Sequence, residues 1–137
     1  MSPASKRARS IPTRIFWTVT LPGVRYVSMD GFGVNAKLFK AGKLDIVPAH
    51  FGDYGTLFEQ EHLRPDVVLC TVTPADEARR RSLGLTLDHI RDAMENARVV
   101  LAEESAAMPW THGDAEISSD FLTAVFPAAY EPYPWES

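Results

Sequence analysis

The stretch Asp66-Val67-Val68-Leu69-Cys70-Thr71-Val72-Thr73 decides the fold class of this chain. It is almost continuously apolar and rich in β-branched residues, without the alternation of polar and apolar positions that a half-exposed strand shows. A strand of this kind is covered on both faces, as strands are in parallel sheets that carry helices on either side.

Segments typical of strands and segments typical of helices alternate around this stretch. The other predicted strands are 13–20, 24–28, 44–47 and 98–102. The first two predicted helices are 34–41, with Gly42 at its C-cap, and 53–60, with Asp53 as N-cap and Leu57 and Phe58 facing inward. A third begins after Thr86, where Leu87, Ile90, Met94 and Ala97 recur at helical spacing. A fourth, short helix is predicted after Phe121. The alternation predicts a single α/β domain with a mostly parallel, doubly wound sheet and flanking helices.

Composition limits the classes of function. The chain has 137 residues, which suits one domain, and we expect a flexible basic arm at 1–12, the α/β domain at 13–126 and a tail rich in proline and aromatic residues at 127–137. The net charge of −4 argues against a nucleic-acid partner. No apolar run approaches the roughly 20 residues that span a bilayer, so we expect no membrane partner. The single cysteine, Cys70, fits a reducing cytoplasm.

Polar and glycine-rich residues follow four of the predicted strands. These loops are 29–33, 48–52, 74–77 and 103–114. The last contains Met108-Pro109-Trp110-Thr111-His112-Gly113-Asp114, which places a histidine and an aspartate two positions apart across a glycine. Because ligands bind beyond the carboxyl ends of the strands in doubly wound sheets, we expect one small-molecule site at this edge.

The catalytic candidates are the histidines and carboxylates of these loops. His112 suits a general base near neutral pH, with Asp114 holding its tautomer, and the alternative is a hydrogen-bonded pair that only stabilises the loop. Asp76 and Glu77 follow the best-defined strand, where a raised pKa would make either an acid or a base, and the alternative is an exposed turn. His50 is the remaining candidate, and its alternative is a histidine packed under the neighbouring helix.

The binding candidates come from the same loops. Gly31 and Gly33 precede a predicted helix N-terminus, which suits an anion, and their backbone N–H groups would stabilise an oxyanion. The alternative is a structural turn. The other predicted substrate-binding residues are Asp30, Asp76, Met108, Trp110 and Thr111. Arg79-Arg80-Arg81 suits phosphate or carboxylate binding, or is a solvated charge run. No metal site is predicted, because the four histidines lack ligand spacing and there is no cysteine pair.

The order of these segments resembles the N-terminal domain of the acetyl-CoA hydrolase/transferase family, of the 4-hydroxybutyrate CoA-transferase type. The matching stretches are 33–35, 42–50, 66–77, Ser82-Leu83-Gly84 with Asp88, and 108–114. The similarity runs from about Val24 to about residue 125. The resemblance implies a CoA-transferase-like α/β fold, no tightly bound cofactor, and coenzyme A as part of the substrate.

The chain also departs from the pattern of that family. Family members are far longer, and they continue into a second domain whose glutamate forms the covalent acyl and CoA adducts. No residue here carries over as that nucleophile. The family usually has His-Gly where this chain has Ala78-Arg79, and an arginine where it has Trp110. The sequence therefore predicts a trimmed and diverged version of the family's N-terminal domain.

These patterns together predict a small-molecule enzyme. It would act on an acyl thioester or a carbonyl or carboxylate substrate by general acid–base chemistry, as hydrolysis, decarboxylation, isomerisation or cyclisation. The alternatives are a non-catalytic or partner-dependent subunit that works with a second CoA-transferase-like chain, and an acyl-CoA binding module. We expect a homo-oligomer, because absent flanking elements would leave an apolar face to be covered.

Overall fold

The computed structural model describes residues 22–60, 62–85 and 87–129. Contacts divide the chain into two compact units, Met1–His50 and Phe51–Ser137. The arm predicted at 1–12, the strand predicted at 13–20, Thr86 and most of the tail predicted at 127–137 lie outside the described residues.

The first unit contains a strand–helix–strand element. Strand β1 (Tyr26–Ser28) pairs in parallel with strand β2 (Leu44–Ile46), and helix α1 (Ala36–Lys40) lies between them in the chain after a 3₁₀ turn. Gly42 ends the helix with φ +64°. The N–H of Gly42 donates to the carbonyl of Phe39, and the N–H of Lys43 donates to that of Leu38. This is a Schellman motif, so the predicted C-cap glycine is confirmed.

The second unit is built on a three-stranded parallel sheet. Its strands are β3 (Val67–Val72), β5 (Val99–Glu104) and β7 (Ala124–Pro127), in the order β3-β5-β7. Helices α2 (Tyr54–Glu59) and α3 (Ile90–Glu95) supply the rest of the core. The buried residues of these strands and helices are Tyr54, Phe58, Val68, Val72, Ala93, Met94, Val100 and Ala102. The predicted α/β class with mostly parallel pairing is confirmed.

Three strands differ from the sequence prediction. Strands β4 (Arg80–Ser82) and β6 (Glu116–Ser118) form an antiparallel pair that was not predicted, because both segments are mostly polar and lack the β-branched and aromatic runs typical of strands. The short helix predicted after Phe121 is wrong. Residues Ser119–Phe121 form a 3₁₀ turn, and the chain then enters β7, whose pairing with β5 stabilises an extended conformation.

The helix starts also differ in detail from the prediction. Asp53 is at the N-cap position of α2, but its side chain makes no capping hydrogen bond. Phe58 is buried as predicted and Leu57 is half-buried, while Tyr54 is a core residue that the sequence did not single out. Helix α3 begins at Ile90, later than expected.

Within the described ranges, no helix has both the length and the apolar character needed to cross a membrane.

Candidate functional site

The loop that follows β5 is anchored by one buried hydroxyl. Ser82 on β4 is fully buried. Its Oγ accepts hydrogen bonds from the N–H groups of Gly84 (3.1 Å) and Thr111 (3.0 Å), and it donates to the Thr111 carbonyl (2.9 Å). Thr111 Oγ1 in turn donates to the Gly84 carbonyl at 2.9 Å. The loop is therefore held to β4 by hydrogen bonds from the backbone and the side chain of Thr111, the residue directly before His112.

Met108 and Thr111 were predicted to bind substrate, and in the structure Thr111 holds the loop to β4 by hydrogen bonds while Met108 packs beneath it. Met108 is buried, and its side chain lies against Gly84. Gly84 has φ +60°, and a Cβ there would collide with the Met108 side chain and lie 3.1 Å from the Pro109 carbonyl oxygen. Met108 therefore packs beneath the loop, and substrate binding by Met108 stays a prediction.

His112 is the exposed end of a hydrogen-bonded cluster centred on Glu116. His112 Nδ1 lies 2.7 Å from Glu116 Oε1, and Trp110 Nε1 donates to the same oxygen at 3.1 Å. Arg80 Nη1 lies 3.4 Å from the other carboxylate oxygen. The hydrogen bonds from Trp110 and His112 lower the pKa of the Glu116 carboxyl, and the charge of Arg80 acts in the same direction. Glu116 is therefore ionised at neutral pH.

This arrangement determines the tautomer of His112. An ionised carboxylate only accepts hydrogen bonds, so Nδ1 of the ring must be the donor. A neutral imidazole then carries its lone pair on Nε2. Because the side chain of His112 is 83% exposed, that nitrogen is accessible to a substrate. The ring has the geometry of a general base oriented by a carboxylate.

Asp114 does not hold the His112 ring, which corrects the predicted pairing. The two residues flank Gly113, whose φ of +80° begins a 3₁₀ turn. The Asp114 side chain is exposed, and its backbone carbonyl accepts a hydrogen bond from Arg91 Nη1 at 2.7 Å. Glu116 was not among the predicted site residues, although it lies four residues after His112 in the sequence. That spacing has meaning only once the turn brings the two side chains together.

Asp76 joins the same cluster through Arg80. Its carboxylate accepts hydrogen bonds from the backbone N–H of Arg80 at 2.7 Å and from Nε of Arg80 at 2.9 Å. The backbone N–H of Arg80, with help from its guanidinium, lowers the pKa of Asp76. This contradicts the raised pKa expected of an acid or base, so Asp76 is an ionised partner of Arg80. Glu77 lies at the exposed tip of the same turn.

The three consecutive arginines are all paired with carboxylates. Arg79 Nη2 lies 3.0 Å from Asp120, Arg80 bridges the two carboxylates described above, and Arg81 pairs with Glu104. Arg81 also donates to the Thr73 carbonyl at 2.9 Å and to Ser119 Oγ at 3.1 Å. Arg81 therefore connects the carboxyl ends of β3 and β5 to β4, while the side chains of Arg79 and Arg80 remain exposed. Phosphate or carboxylate binding by this run stays a prediction.

The remaining predicted residues lie in the first unit. The Asp30 carboxylate accepts the N–H of Phe32, which lies between Gly31 and Gly33, at 2.9 Å. Gly31 is covered by the Phe39 ring, since a Cβ at Gly31 would lie 2.8 Å from its nearest atom. Gly33 has φ +51° and open space around it. These contacts form a structural turn. His50 is exposed, so the alternative of a packed histidine is wrong.

Two further observations bear on the chemistry of the described residues. Burial raises the pKa of the Cys70 thiol to about 11, which makes it a poor nucleophile at neutral pH. Across residues 22–60, 62–85 and 87–129, no three His, Cys, Asp or Glu side chains are grouped so as to hold a metal ion.

Comparison with known proteins agrees with the resemblance seen in the sequence. Residues 31–125 match the acetyl-CoA hydrolase/transferase N-terminal domain. The chain is 34% identical over 101 residues to a succinyl-CoA:acetate/propanoyl-CoA:succinate CoA transferase of Fasciola hepatica, covering 74% of this chain and 21% of that protein. It is 30% identical over 98 residues to a 4-hydroxybutyrate coenzyme A transferase of Clostridium kluyveri, covering 72% and 23%. The chain thus spans about a fifth to a quarter of the length of these relatives.

Solved structures show the same fold. A 4-hydroxybutyrate CoA-transferase from Porphyromonas gingivalis aligns with a TM-score of 0.61 and 27% identity, over 77% of this chain and 28% of that one. RipA from Yersinia pestis aligns with a TM-score of 0.71 and 24% identity, over 82% and 28%, which is a likeness of fold alone. The predicted CoA-transferase-like fold and the family resemblance are confirmed.

Proposed function

This chain belongs to the acetyl-CoA hydrolase/transferase N-terminal domain family, and from that premise we propose that it hydrolyses an acyl-CoA thioester with His112 as general base. The observation that carries the proposal is the 2.7 Å hydrogen bond between His112 Nδ1 and ionised Glu116. It leaves Nε2 as the basic nitrogen on an exposed and well-anchored loop. In this proposal coenzyme A is part of the substrate, and there is no resident cofactor.

The proposed reaction needs only one base and one water. Nε2 of His112 takes a proton from water as the water oxygen attacks the thioester carbonyl carbon and forms a C–O bond. The tetrahedral intermediate collapses and the C–S bond breaks. The CoA thiolate takes the proton back from the imidazolium, which Glu116 stabilises in the meantime. The products are a carboxylic acid and the free CoA thiol.

The test is thiol release from a panel of acyl-CoA thioesters by the purified protein, with mass detection of the products. His112→Ala should lower turnover by about 10²-fold or more, the usual contribution of a positioned base. Glu116→Gln should lower kcat because the carboxylate no longer stabilises the imidazolium. His62→Ala is the matched control, because His62 is also exposed and lies outside the cluster. Unchanged turnover by His112→Ala would remove His112 from the mechanism.

Mass detection also separates the other reactions that one base can perform. A product of unchanged mass would identify isomerisation, and loss of carbon dioxide would identify decarboxylation. A product that retains CoA but has lost water would identify cyclisation. Each of these would keep His112 as the base and replace hydrolysis as the reaction.

Exposed apolar side chains on one face of the three-stranded sheet favour a second candidate, a partner-dependent or non-catalytic subunit. The strand register places Val67, Leu69 and Phe126 on the face opposite the buried core, and all three side chains are exposed. Parallel sheets are normally covered on both faces. Self-association, or a second CoA-transferase-like chain, would cover this one. Light scattering after size exclusion tests it, since a monomer that hydrolyses thioester alone would exclude the subunit role.

A further inference from the structure

The indole of Trp110 donates to the carboxylate that holds the candidate base. Its Nε1 lies 3.1 Å from Glu116 Oε1, the same oxygen that accepts Nδ1–H of His112 at 2.7 Å. The other carboxylate oxygen lies 3.4 Å from Arg80 Nη1, so the indole makes the shorter contact of these two supports. The hydrogen bond from Trp110 is also the largest of the effects that lower the pKa of the Glu116 carboxyl.

The indole is carried by a well-anchored part of the loop. Pro109 precedes Trp110, and its ring fixes φ at that position. Thr111 follows, and its N–H and carbonyl are both hydrogen-bonded to the buried Ser82 hydroxyl, at 3.0 Å and 2.9 Å. An indole side chain has only two torsions, whereas the last torsion of a glutamate is broad. The N–H of Trp110 can therefore hold the Glu116 carboxylate in one orientation.

The His112 ring depends on that carboxylate for its tautomer. The side chain is 83% exposed, so water can bond to either ring nitrogen and both neutral tautomers are accessible. The hydrogen bond to Glu116 selects Nδ1–H only while the carboxylate oxygen stays in place. The ring centroids of Trp110 and His112 are 6.4 Å apart, so the indole also flanks the imidazole. A group that fixes the carboxylate therefore decides which ring nitrogen is basic.

We propose that Trp110 is a positioning residue for the general base. Its N–H fixes the Glu116 carboxylate, which keeps the proton on Nδ1 of His112 and leaves Nε2 to take a proton from water. The inference rests on the proposed function for turnover, but the tautomer can be observed in the protein without substrate. The alternative is an indole N–H that only finds a partner for itself, as half-buried ones do, and removing such a donor would leave the His112 tautomer unchanged.

The experiment compares two substitutions that separate the donor from the ring. Trp110→Phe keeps an aromatic ring and removes the N–H. Trp110→Gln removes the ring and keeps a donor, because the amide nitrogen lies as many bonds from Cβ as the indole nitrogen does. Nitrogen-15 NMR of protein labelled at its histidines reports which imidazole nitrogen carries the proton, at about pH 9, well above the ordinary pKa of histidine. The spectrum of His112→Ala identifies the signals of His112.

The unchanged protein should carry the His112 proton mainly on Nδ1. Trp110→Phe should shift the ring to a mixture of both tautomers, and Trp110→Leu, which also lacks a donor, should do the same. For the best acyl-CoA thioester of the panel, Trp110→Phe should lower kcat about tenfold with little change in KM. Residues that orient a metal-binding histidine from behind contribute about 10- to 100-fold, and the lower end applies because Arg80 still supports Glu116. Trp110→Gln should restore most of the Nδ1–H population and of kcat.

Arg91→Met is the matched control, because Arg91 also donates to this loop, at the Asp114 carbonyl (2.7 Å), but not to Glu116. It should leave the tautomer and kcat unchanged. An unchanged tautomer in Trp110→Phe, or equal losses in Trp110→Phe and Trp110→Gln, would overturn the inference. A tautomer shift in Trp110→Phe, in a protein that releases no thiol from any thioester, would support the positioning by Trp110 and refute hydrolysis. Thiol release that Trp110→Phe leaves unchanged, with an unchanged tautomer, would do the reverse.

Discussion

Replacing Arg81 by alanine should destabilise the second unit much more than replacing Arg79, although both belong to one run of three arginines. The Arg81 side chain is only 11% exposed and pairs with Glu104. It also donates to the Thr73 carbonyl and to Ser119 Oγ. The Arg79 side chain is 73% exposed and pairs with an exposed aspartate. The two substitutions remove the same chemical group from opposite environments.

The expected cost follows from what Arg81 leaves behind. Removing one partner of a buried ion pair costs about 3–5 kcal/mol, because the other charge stays in place without compensation. Glu104 is 35% exposed and can recover some hydration, which puts its share at the lower end of that range. The Thr73 carbonyl also loses a donor, worth about 1 kcal/mol. The total is about 3–4 kcal/mol, against about 0–1 kcal/mol for Arg79→Ala.

Urea unfolding followed by far-ultraviolet circular dichroism measures the free energy of unfolding of both variants, from the midpoint of the transition and the slope of the free energy against urea concentration. A double-mutant cycle with Glu104→Ala isolates the ion pair, and the double variant should lose less than the sum of the two single ones. The reasoning is refuted if Arg81→Ala and Arg79→Ala lower the free energy of unfolding equally, or if Arg81→Ala costs less than about 1 kcal/mol.

Three other predictions concern residues of the same unit. Gly84→Ala should lower the free energy of unfolding by at least about 2 kcal/mol, because the strain of a left-handed backbone adds to a collision with Met108. A melting temperature equal to that of the unchanged protein would contradict this. Glu116 has a lowered pKa, so its contribution to stability is present above the unfolded pKa near 4.3 and is lost as pH falls through the folded pKa. Urea midpoints between about pH 6 and pH 3 should therefore fall less steeply for Glu116→Gln, and parallel curves would count against the cluster. Cys70, with a pKa of about 11, should react with iodoacetamide at pH 8 about two orders of magnitude more slowly in the folded protein than in urea, and equal rates would mean that the thiol is not buried.

The elements that the sequence predicted well are those with a clear local pattern. The continuous apolar run of β3 and the glycine that ends α1 each depend on neighbouring residues, so the printed order of residues is enough to identify them. The resemblance to the family rests on several such segments in one order. The same reasoning identified the loop around His112, because a glycine-rich polar segment after a strand is itself a local pattern.

The sequence by itself thus determined the fold class, the main strands and helices, and the loop that carries the candidate base. Only the tertiary structure decided which carboxylate holds His112 and which carboxylates pair with the three arginines. It also decided that β4, β6 and β7 are strands. The local sequence of these three segments has only a weak preference for a strand, and each is stabilised by pairing with a segment more than twenty residues away. Hydrogen-bond partners are likewise chosen by distance in space, which is why Glu116 and not Asp114 orients the ring.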